Sequence, residues 1–154
     1  MKVETKIAAA KVMLATVRAP YLATAIYAMT DVYTCDVPIA AVDKYWRLYL
    51  NEEALKKWST EEIAGLLMHE VMHLIKQHSD RAVSKGVNDP ITAERWNIAC
   101  DAEINCHLKK EGFTMNGGWD NYILPSNKRL TQPPLYEPMD DYLTAEQYYG
   151  SMPE

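Results

Sequence analysis

A five-residue pattern, His69-Glu70-x-x-His73, lies in the apolar stretch from residue 66 to residue 75. On an α-helix, side chains four positions apart lie one turn apart on the same face. Two neutral imidazoles placed in this way can bind one Zn²⁺, and a glutamate beside the first can take a proton from a metal-activated water. The alternative is two ordinary surface histidines. The pattern favours a metal site with His69 and His73 as ligands and Glu70 as general base.

The helix that carries this pattern has a well-marked start. Ser59 and Glu62 have the spacing of a capping box, which predicts that the helix begins there. The apolar residues that follow at helical spacing are Ile63, Leu67, Val71 and Leu74. Because the two histidines lie beside this stripe, we expect them at the edge of the core, facing a cleft. His78 falls on the stripe itself, which favours a structural role over a metal ligand.

A second long helix, predicted over residues 93–109, is where a third ligand should be found, because two histidines leave a zinc site incomplete. Its possible ligands are Asp101, Glu103 and His107. At about 100° per residue, Asp101 shares an arc with Asn97, Ile98, Ile104, Asn105 and Leu108, whereas Glu103 and His107 fall on the far side.

A carboxylate among core-facing residues needs a partner that offsets its desolvation. A metal ion is the most effective partner, and the alternative is an ion pair with a buried histidine or arginine. This reasoning selects Asp101 as the third ligand. Asn97 and Asn105, one turn to either side, are predicted to hold the ligands by hydrogen bonds.

The remaining patterns predict an α+β fold that is mainly helical. Helices are expected over residues 4–18, 20–29 and 52–58, the last of them capped by Asn51. Strands are expected over residues 32–38 and 45–50, the second antiparallel to a neighbour and the first ended or placed at an edge by Pro38. Residues 79–90 are polar and are expected to form turns.

Composition is typical of one globular domain. The chain has 154 residues, of which 48% are hydrophobic and 24% charged. A net charge of −5 argues against nucleic acid as the main partner. The three cysteines lack a Cys-x-x-Cys pattern, so neither a disulfide framework nor a thiolate zinc site is indicated. With no signal peptide and no run of membrane-spanning length, we expect no membrane association and a cytoplasmic location.

The segment from residue 112 to residue 143 is rich in glycine, proline and aromatic residues and shows no clear periodicity. Segments of this length are usually functional loops or disordered tails. One interpretation is a lid over the metal cleft that donates a tyrosine hydroxyl to a developing oxyanion. The other, which we favour, is a surface segment held in place by aromatic packing.

At residues 96–105 the sequence becomes similar to a known family. The run Trp-Asn-Ile-Ala-Cys-Asp-Ala-Glu-Ile-Asn resembles the W-N-x-A-x-D-x-x-I-N segment of a metallopeptidase domain that often precedes a von Willebrand factor A-like domain in bacterial and phage proteins. Residues 41–51, 59–81 and 144–149 resemble other segments of that domain. The resemblance implies a zincin-like fold with a small mixed or antiparallel sheet beside the H-E-x-x-H helix. It also implies that Asp101 is the third zinc ligand.

We expect no A-like domain within residues 1–154. We therefore expect residues 1–154 to form a single zincin-like domain, either a single-domain member of the family or part of a longer chain. In its place, a separate protein partner could recruit substrate.

These observations together predict a zinc metallopeptidase with one Zn²⁺ per chain and a peptide or protein substrate. Two alternatives stay open: a catalytically silent binding or assembly module stabilised by metal, and a zinc hydrolase of a small non-protein substrate. A purely structural zinc site would close its fourth coordination position and would not need Glu70. Retention of Glu70 therefore favours catalysis.

Overall fold

The computed structural model describes residues 1–126 and 139–152. These residues divide into two units: the first comprises residues 1–77 and 113–116, and the second comprises residues 78–112, 117–126 and 139–152. None of the helices in this part of the chain combines the length and the hydropathy that a membrane span requires.

The first unit contains four helices, which are α1 (Val3–Met13), α2 (Ala23–Ala28), α3 (Glu52–Leu55) and α4 (Thr60–Ile75). A π-helical turn, Leu14–Arg18, continues α1, and a 3₁₀ turn, Pro20–Leu22, leads into α2. The two predicted N-terminal helices are thus confirmed, with a break at Ala19 because the proline that follows lacks an N–H and has a fixed φ. Helix α1 packs against α4.

The predicted capping box at the start of α4 is confirmed. The Ser59 hydroxyl accepts a hydrogen bond from the Glu62 N–H at 3.1 Å, and the Glu62 carboxylate accepts one from the Ser59 N–H at 2.8 Å. Of the predicted core stripe, three residues are fully buried and Leu74 is half-buried. Since Ala64, Gly65 and Met68 are buried as well, α4 is packed on more than the one predicted face.

The first unit also contains a three-stranded mixed sheet, which confirms the α+β class. Its strands are β1 (Thr30–Tyr33), β2 (Ala40–Val42) and β3 (Arg47–Leu50). The central strand β3 runs parallel to β1 and antiparallel to β2. The prediction of a strand at 45–50 with an antiparallel neighbour is therefore confirmed.

The other strand boundaries differ from the prediction. Strand β1 begins and ends earlier than the predicted range 32–38, because a turn follows it in which the Thr34 hydroxyl accepts a hydrogen bond from the Asp36 N–H. Strand β2 was not predicted, since three residues are too few to show an alternating pattern. Its turn into β3 is fixed by the Asp43 carboxylate, which accepts hydrogen bonds from the backbone of Tyr45 and of Arg47.

Residues 113–116 belong to the first unit and are held against α4. Phe113 and Met115 are buried, and the Asn116 amide donates a hydrogen bond to the Glu62 carboxylate at 2.9 Å. The start of the predicted 112–143 loop is therefore fixed by packing against α4. Residues 127–138 of that loop lie outside the described part of the chain, so the lid stays a prediction.

The second unit contains three α-helices, which are α5 (His78–Ser84), α6 (Pro90–Lys110) and α7 (Ala145–Gly150), and a short 3₁₀ helix, Trp119–Asn121. Its core cluster consists of Trp96, Ala99, Cys100, Ala102, Ala145, Tyr148 and Met152. The predicted helix at 93–109 is confirmed and begins earlier, because Asp89 caps it by accepting a hydrogen bond from the Thr92 N–H at 2.7 Å. The prediction of turns throughout 79–90 is wrong, because α5 occupies the first part of this range. Polar contacts hold α5 in place, so the sequence shows no apolar stripe there.

Close packing at Gly65 gives a test of how residues 113–116 lie against α4. A Cβ at Gly65 would overlap the Thr114 carbonyl oxygen. Gly65→Ala should therefore lower the free energy of unfolding by about 1–3 kcal/mol, the usual cost of overpacking, in urea denaturation. Gly150→Ala is the matched control, because a Cβ there meets nothing within 4 Å. Equal stability of the two variants would contradict the packing described here.

Candidate metal centre

Helix α4 brings the two histidines of the pattern together. The Nε2 atoms of His69 and His73 lie 3.1 Å apart, and the two rings are nearly perpendicular, with centroids 4.7 Å apart. Two nitrogens that each lie about 2.1 Å from one tetrahedral Zn²⁺ would be separated by about 3.4 Å. The pair is therefore close to the spacing that a shared metal ion requires.

Glu70 follows His69 on the same helix and is the more buried of the two. Its exposed fraction is 7%, whereas both histidines are half-buried. This burial limits the contact of Glu70 with bulk water. This position suits a proton acceptor.

Asp101 lies on α6 and is half-buried. His69, His73 and Asp101 each offer one possible ligand atom, and these three atoms lie within 4.8 Å of one another. Two imidazole nitrogens and one carboxylate oxygen form a donor set that suits Zn²⁺ and leaves a fourth position for water or substrate. The three predicted ligands therefore form a candidate metal site.

The other acidic and imidazole side chains considered as ligands have different roles. His78 is buried, and its Nε2 lies 2.7 Å from the Glu103 carboxylate, which confirms the structural role predicted for it. His107 is exposed, and its ring lies beside that of Tyr142.

Burial, followed by the negative charges of Asp101 and Glu103, raises the pKa of the Cys100 thiol well above its usual value, so this thiol stays protonated.

The placement of Glu103 away from the core is wrong, because this residue has an exposed fraction of only 4%. Its carboxylate accepts hydrogen bonds from His78, from both terminal nitrogens of Arg81 and from the Ala145 N–H. Burial by itself would raise the pKa of Glu103, but these donors outweigh it and hold the pKa well below its usual value. Arg81 also bonds to Glu146, and Glu146 and Glu103 together raise the pKa of its guanidinium.

This network was missed because only one face of α6 was expected to be buried. The helix also packs against α7. The signal that could have revealed this second face is the spacing of small residues at Ala99, Ala102 and Cys106, which are all buried and flank Glu103. A glutamate that lies among these buried small residues needs a cationic partner, and Arg81 supplies one.

The two asparagines predicted to support the ligands differ in their surroundings. Asn97 is exposed, whereas Asn105 is buried and donates a hydrogen bond from its Nδ2 to the Ile123 carbonyl at 3.0 Å. Support of the metal ligands by Asn97 and Asn105 stays a prediction.

Nearly the whole chain is similar in sequence to one protein family. A family described as "Putative metallopeptidase domain" has a sequence model that matches residues 2–154. The chain belongs to this family. The match to the metallopeptidase-domain family includes both α4 and α6, the helices that carry the candidate ligands. No match was found among curated proteins or among solved structures.

The candidate site predicts how metal content responds to substitution. The purified protein should contain about one Zn²⁺ per chain, and His73→Ala or Asp101→Asn should remove most of it, because two remaining ligands hold zinc weakly. Elemental analysis measures this directly. His107→Ala is the control on the same helix as Asp101 and should keep its metal. Stoichiometric metal in both ligand variants would show that it binds elsewhere.

The buried network predicts a separate effect on stability. Glu103→Gln leaves the buried donors of Arg81 and His78 without their anion, and breaking a buried ion pair costs about 3–5 kcal/mol. Glu146→Gln removes a more exposed partner of the same arginine and should cost at most about 1 kcal/mol. Urea denaturation of both variants measures the difference. Similar stabilities would show that Glu103 is not the anion on which this network depends.

Proposed function

We propose that this protein is a zinc-dependent metallopeptidase with a zincin-like arrangement of helix and sheet, in which His69, His73 and Asp101 hold one Zn²⁺. The observation that supports this most directly is the convergence of two imidazole nitrogens and one carboxylate within 4.8 Å. Membership of a metallopeptidase-domain family over residues 2–154 agrees with it.

The donor set matches the chemistry of peptide hydrolysis. A bound Zn²⁺ acidifies a water molecule and polarises the scissile carbonyl. The imidazoles of His69 and His73 would bind the metal ion in their neutral form, so metal binding releases any proton that they carry. The carboxylate of Asp101 adds one negative charge, which moderates this acidifying effect relative to a site of three neutral histidines.

Glu70 supplies the proton transfers. Its carboxylate lies one position after His69 and is largely shielded from bulk water. We assign it the role of accepting the proton of the attacking water at one carboxylate oxygen and passing a proton to the leaving amine. A structural metal site has no use for a buried acid at this position, which is why the arrangement favours hydrolysis over a metal-stabilised binding module.

The rigid setting of α4 supports the same function. The helix is capped by Ser59, buried on several sides and fixed against residues 113–116. Catalytic groups on such an element keep their geometry without an ordering cost when substrate binds.

Replacing Glu70 by Gln separates catalysis from metal binding. Glutamine keeps the size of the side chain but cannot accept the proton, so cleavage of an unfolded protein such as casein should fall by about two to four orders of magnitude. Zinc content and melting temperature should stay close to those of the wild type. A chelator-treated wild type serves as the control for metal dependence.

Two outcomes would contradict the proposal in different ways. Undiminished cleavage by Glu70→Gln would remove this residue from the mechanism. A zinc-loaded wild type that cleaves neither proteins nor peptides would favour the non-catalytic metal-stabilised module.

A further inference from the structure

Arg81 joins three helices of the second unit through two carboxylates. It lies on α5, and its Nη1 and Nη2 donate to the two carboxylate oxygens of Glu103 on α6, at 3.1 and 2.9 Å. Its Nε donates to the Glu146 carboxylate on α7 at 2.9 Å, and Nη2 bonds to the same carboxylate. A guanidinium presents its donors in a rigid planar fork. Arg81 therefore fixes the position of α7 relative to α6.

Two further donors complete the surroundings of Glu103. His78, one turn before Arg81 on α5, has its Nε2 2.7 Å from the Glu103 carboxylate, and the Ala145 N–H at the start of α7 donates to it at 2.6 Å. Glu103 is buried, so water does not readily replace a donor that is lost. A displacement of α7 would therefore leave a buried anion with fewer donors.

Apolar contacts define the rotation of α6 about its axis less sharply than these hydrogen bonds do. The apolar cluster of this unit includes Ala99 and Ala102 on α6 and Ala145 on α7. Side chains of a single carbon form no ridge that interlocks with a groove on a neighbouring helix. Hydrogen bonds weaken steeply when they are misaligned. The rotation of α6 therefore depends strongly on the donors that hold Glu103.

Asp101 lies two positions before Glu103 on α6, so any rotation of this helix moves both carboxylates. Side-chain tips lie about 5–6 Å from a helix axis, so a rotation of about 20° moves a carboxylate oxygen by about 2 Å. Distances between a metal ion and its ligands vary by only about 0.2 Å. A small rotation of α6 is thus enough to take the Asp101 oxygen out of metal-binding distance.

We propose that Arg81 is a positioning residue for the third metal ligand and that, by binding Glu103 and Glu146 together, it makes the zinc affinity of the site depend on the docking of α7. This inference rests on the function proposed above, because it takes Asp101 as a metal ligand. Arg81 acts through α6 and is not itself a ligand. A binding event that displaces α7 would lower the metal affinity.

A double-mutant cycle tests this role. The Zn²⁺ dissociation constant of Arg81→Gln is measured by competition with a fluorescent chelator, at a temperature at which circular dichroism shows the variant folded. It should rise about 10–100-fold, the usual effect of losing a group that holds a metal ligand. In the Asp101→Asn background, the same substitution should change the constant by less than about twofold, because the ligand that Arg81 positions is already lost. Equal changes in both backgrounds would indicate a purely structural role and overturn the inference.

The visible spectrum of Co²⁺ bound in place of Zn²⁺ gives a second readout, since it depends on the ligands and their geometry. The spectrum of Arg81→Gln should shift towards that of Asp101→Asn. A wild-type spectrum in Arg81→Gln would show that Asp101 keeps its position without the guanidinium, which would contradict the proposed role.

Glu146→Gln is a milder variant that decides the question if Arg81→Gln does not fold. The Glu146 side chain is 36% exposed, so the loss of its charge should cost little stability. The substitution weakens only the link from Arg81 to α7, and the Zn²⁺ dissociation constant should rise at least about twofold. An unchanged constant in this folded variant would overturn the dependence on α7.

Tyr148→Phe is the matched control on α7. The Tyr148 hydroxyl donates to the Asp140 carbonyl at 2.7 Å and accepts from the Leu143 N–H at 3.2 Å. Its loss loosens the segment before α7 without changing the donors of Glu103, so stability should fall while the Zn²⁺ dissociation constant stays unchanged. A rise equal to that in Arg81→Gln would show that any loosening of this unit weakens the metal site, and would overturn the role of Arg81.

The same titrations separate failure of this inference from failure of the proposed metal site. A wild type that binds no Zn²⁺, or an Asp101→Asn variant with wild-type affinity, would remove the metal site as assigned and this inference with it. Zinc binding that is lost in Asp101→Asn but unchanged in folded Arg81→Gln would overturn this inference alone and leave the metal site intact.

Discussion

The burial of α4 is the constraint on which the candidate site depends. A capping box fixes where the helix begins, and apolar contacts on more than one face fix its rotation. With both fixed, His69 and His73 can only lie at the boundary of the core, where their Nε2 atoms approach to 3.1 Å. The close approach of Thr114 to Gly65, one turn earlier, restricts the helix further. The spacing of the two imidazole nitrogens is thus a consequence of how α4 packs.

A different kind of constraint operates in the second unit. Its core holds a buried acid, Glu103, whose desolvation is offset by Arg81, His78 and the first N–H of α7. These contacts join α5, α6 and α7 in one polar cluster beside the apolar one around Trp96. Because the cluster specifies how α6 is rotated, it also specifies where Asp101 points.

Structural features that depend on residues close together in the sequence could be predicted, whereas features that depend on distant residues could not. Ser59 and Glu62 act within a single turn of α4, so their capping role could be derived from spacing alone. Spacing also predicts that His69 and His73 lie together on that helix, as they do. Strand β2 is defined by pairing with β3, and α5 is held by ion pairs to Glu103 and Glu146, which lie far away in sequence. Such contacts leave no periodic pattern. Glu103 was misplaced for the same reason, since its burial depends on α7.

Asp101 and Glu103 lie two positions apart on α6 and have different surroundings. Two positions on a helix differ by about 200°, so the two carboxylates face nearly opposite directions. A carboxylate has about four acceptor positions, and Glu103 already receives four donors, from His78, twice from Arg81 and from Ala145. It therefore has no capacity left for a metal ion, and its low pKa reflects its role as a structural anion. Of the two acids, Asp101 is the one whose ligand atom lies within 4.8 Å of both imidazoles. The saturation of Glu103, which sequence spacing does not reveal, therefore supports the proposal that Asp101, rather than Glu103, is the third ligand.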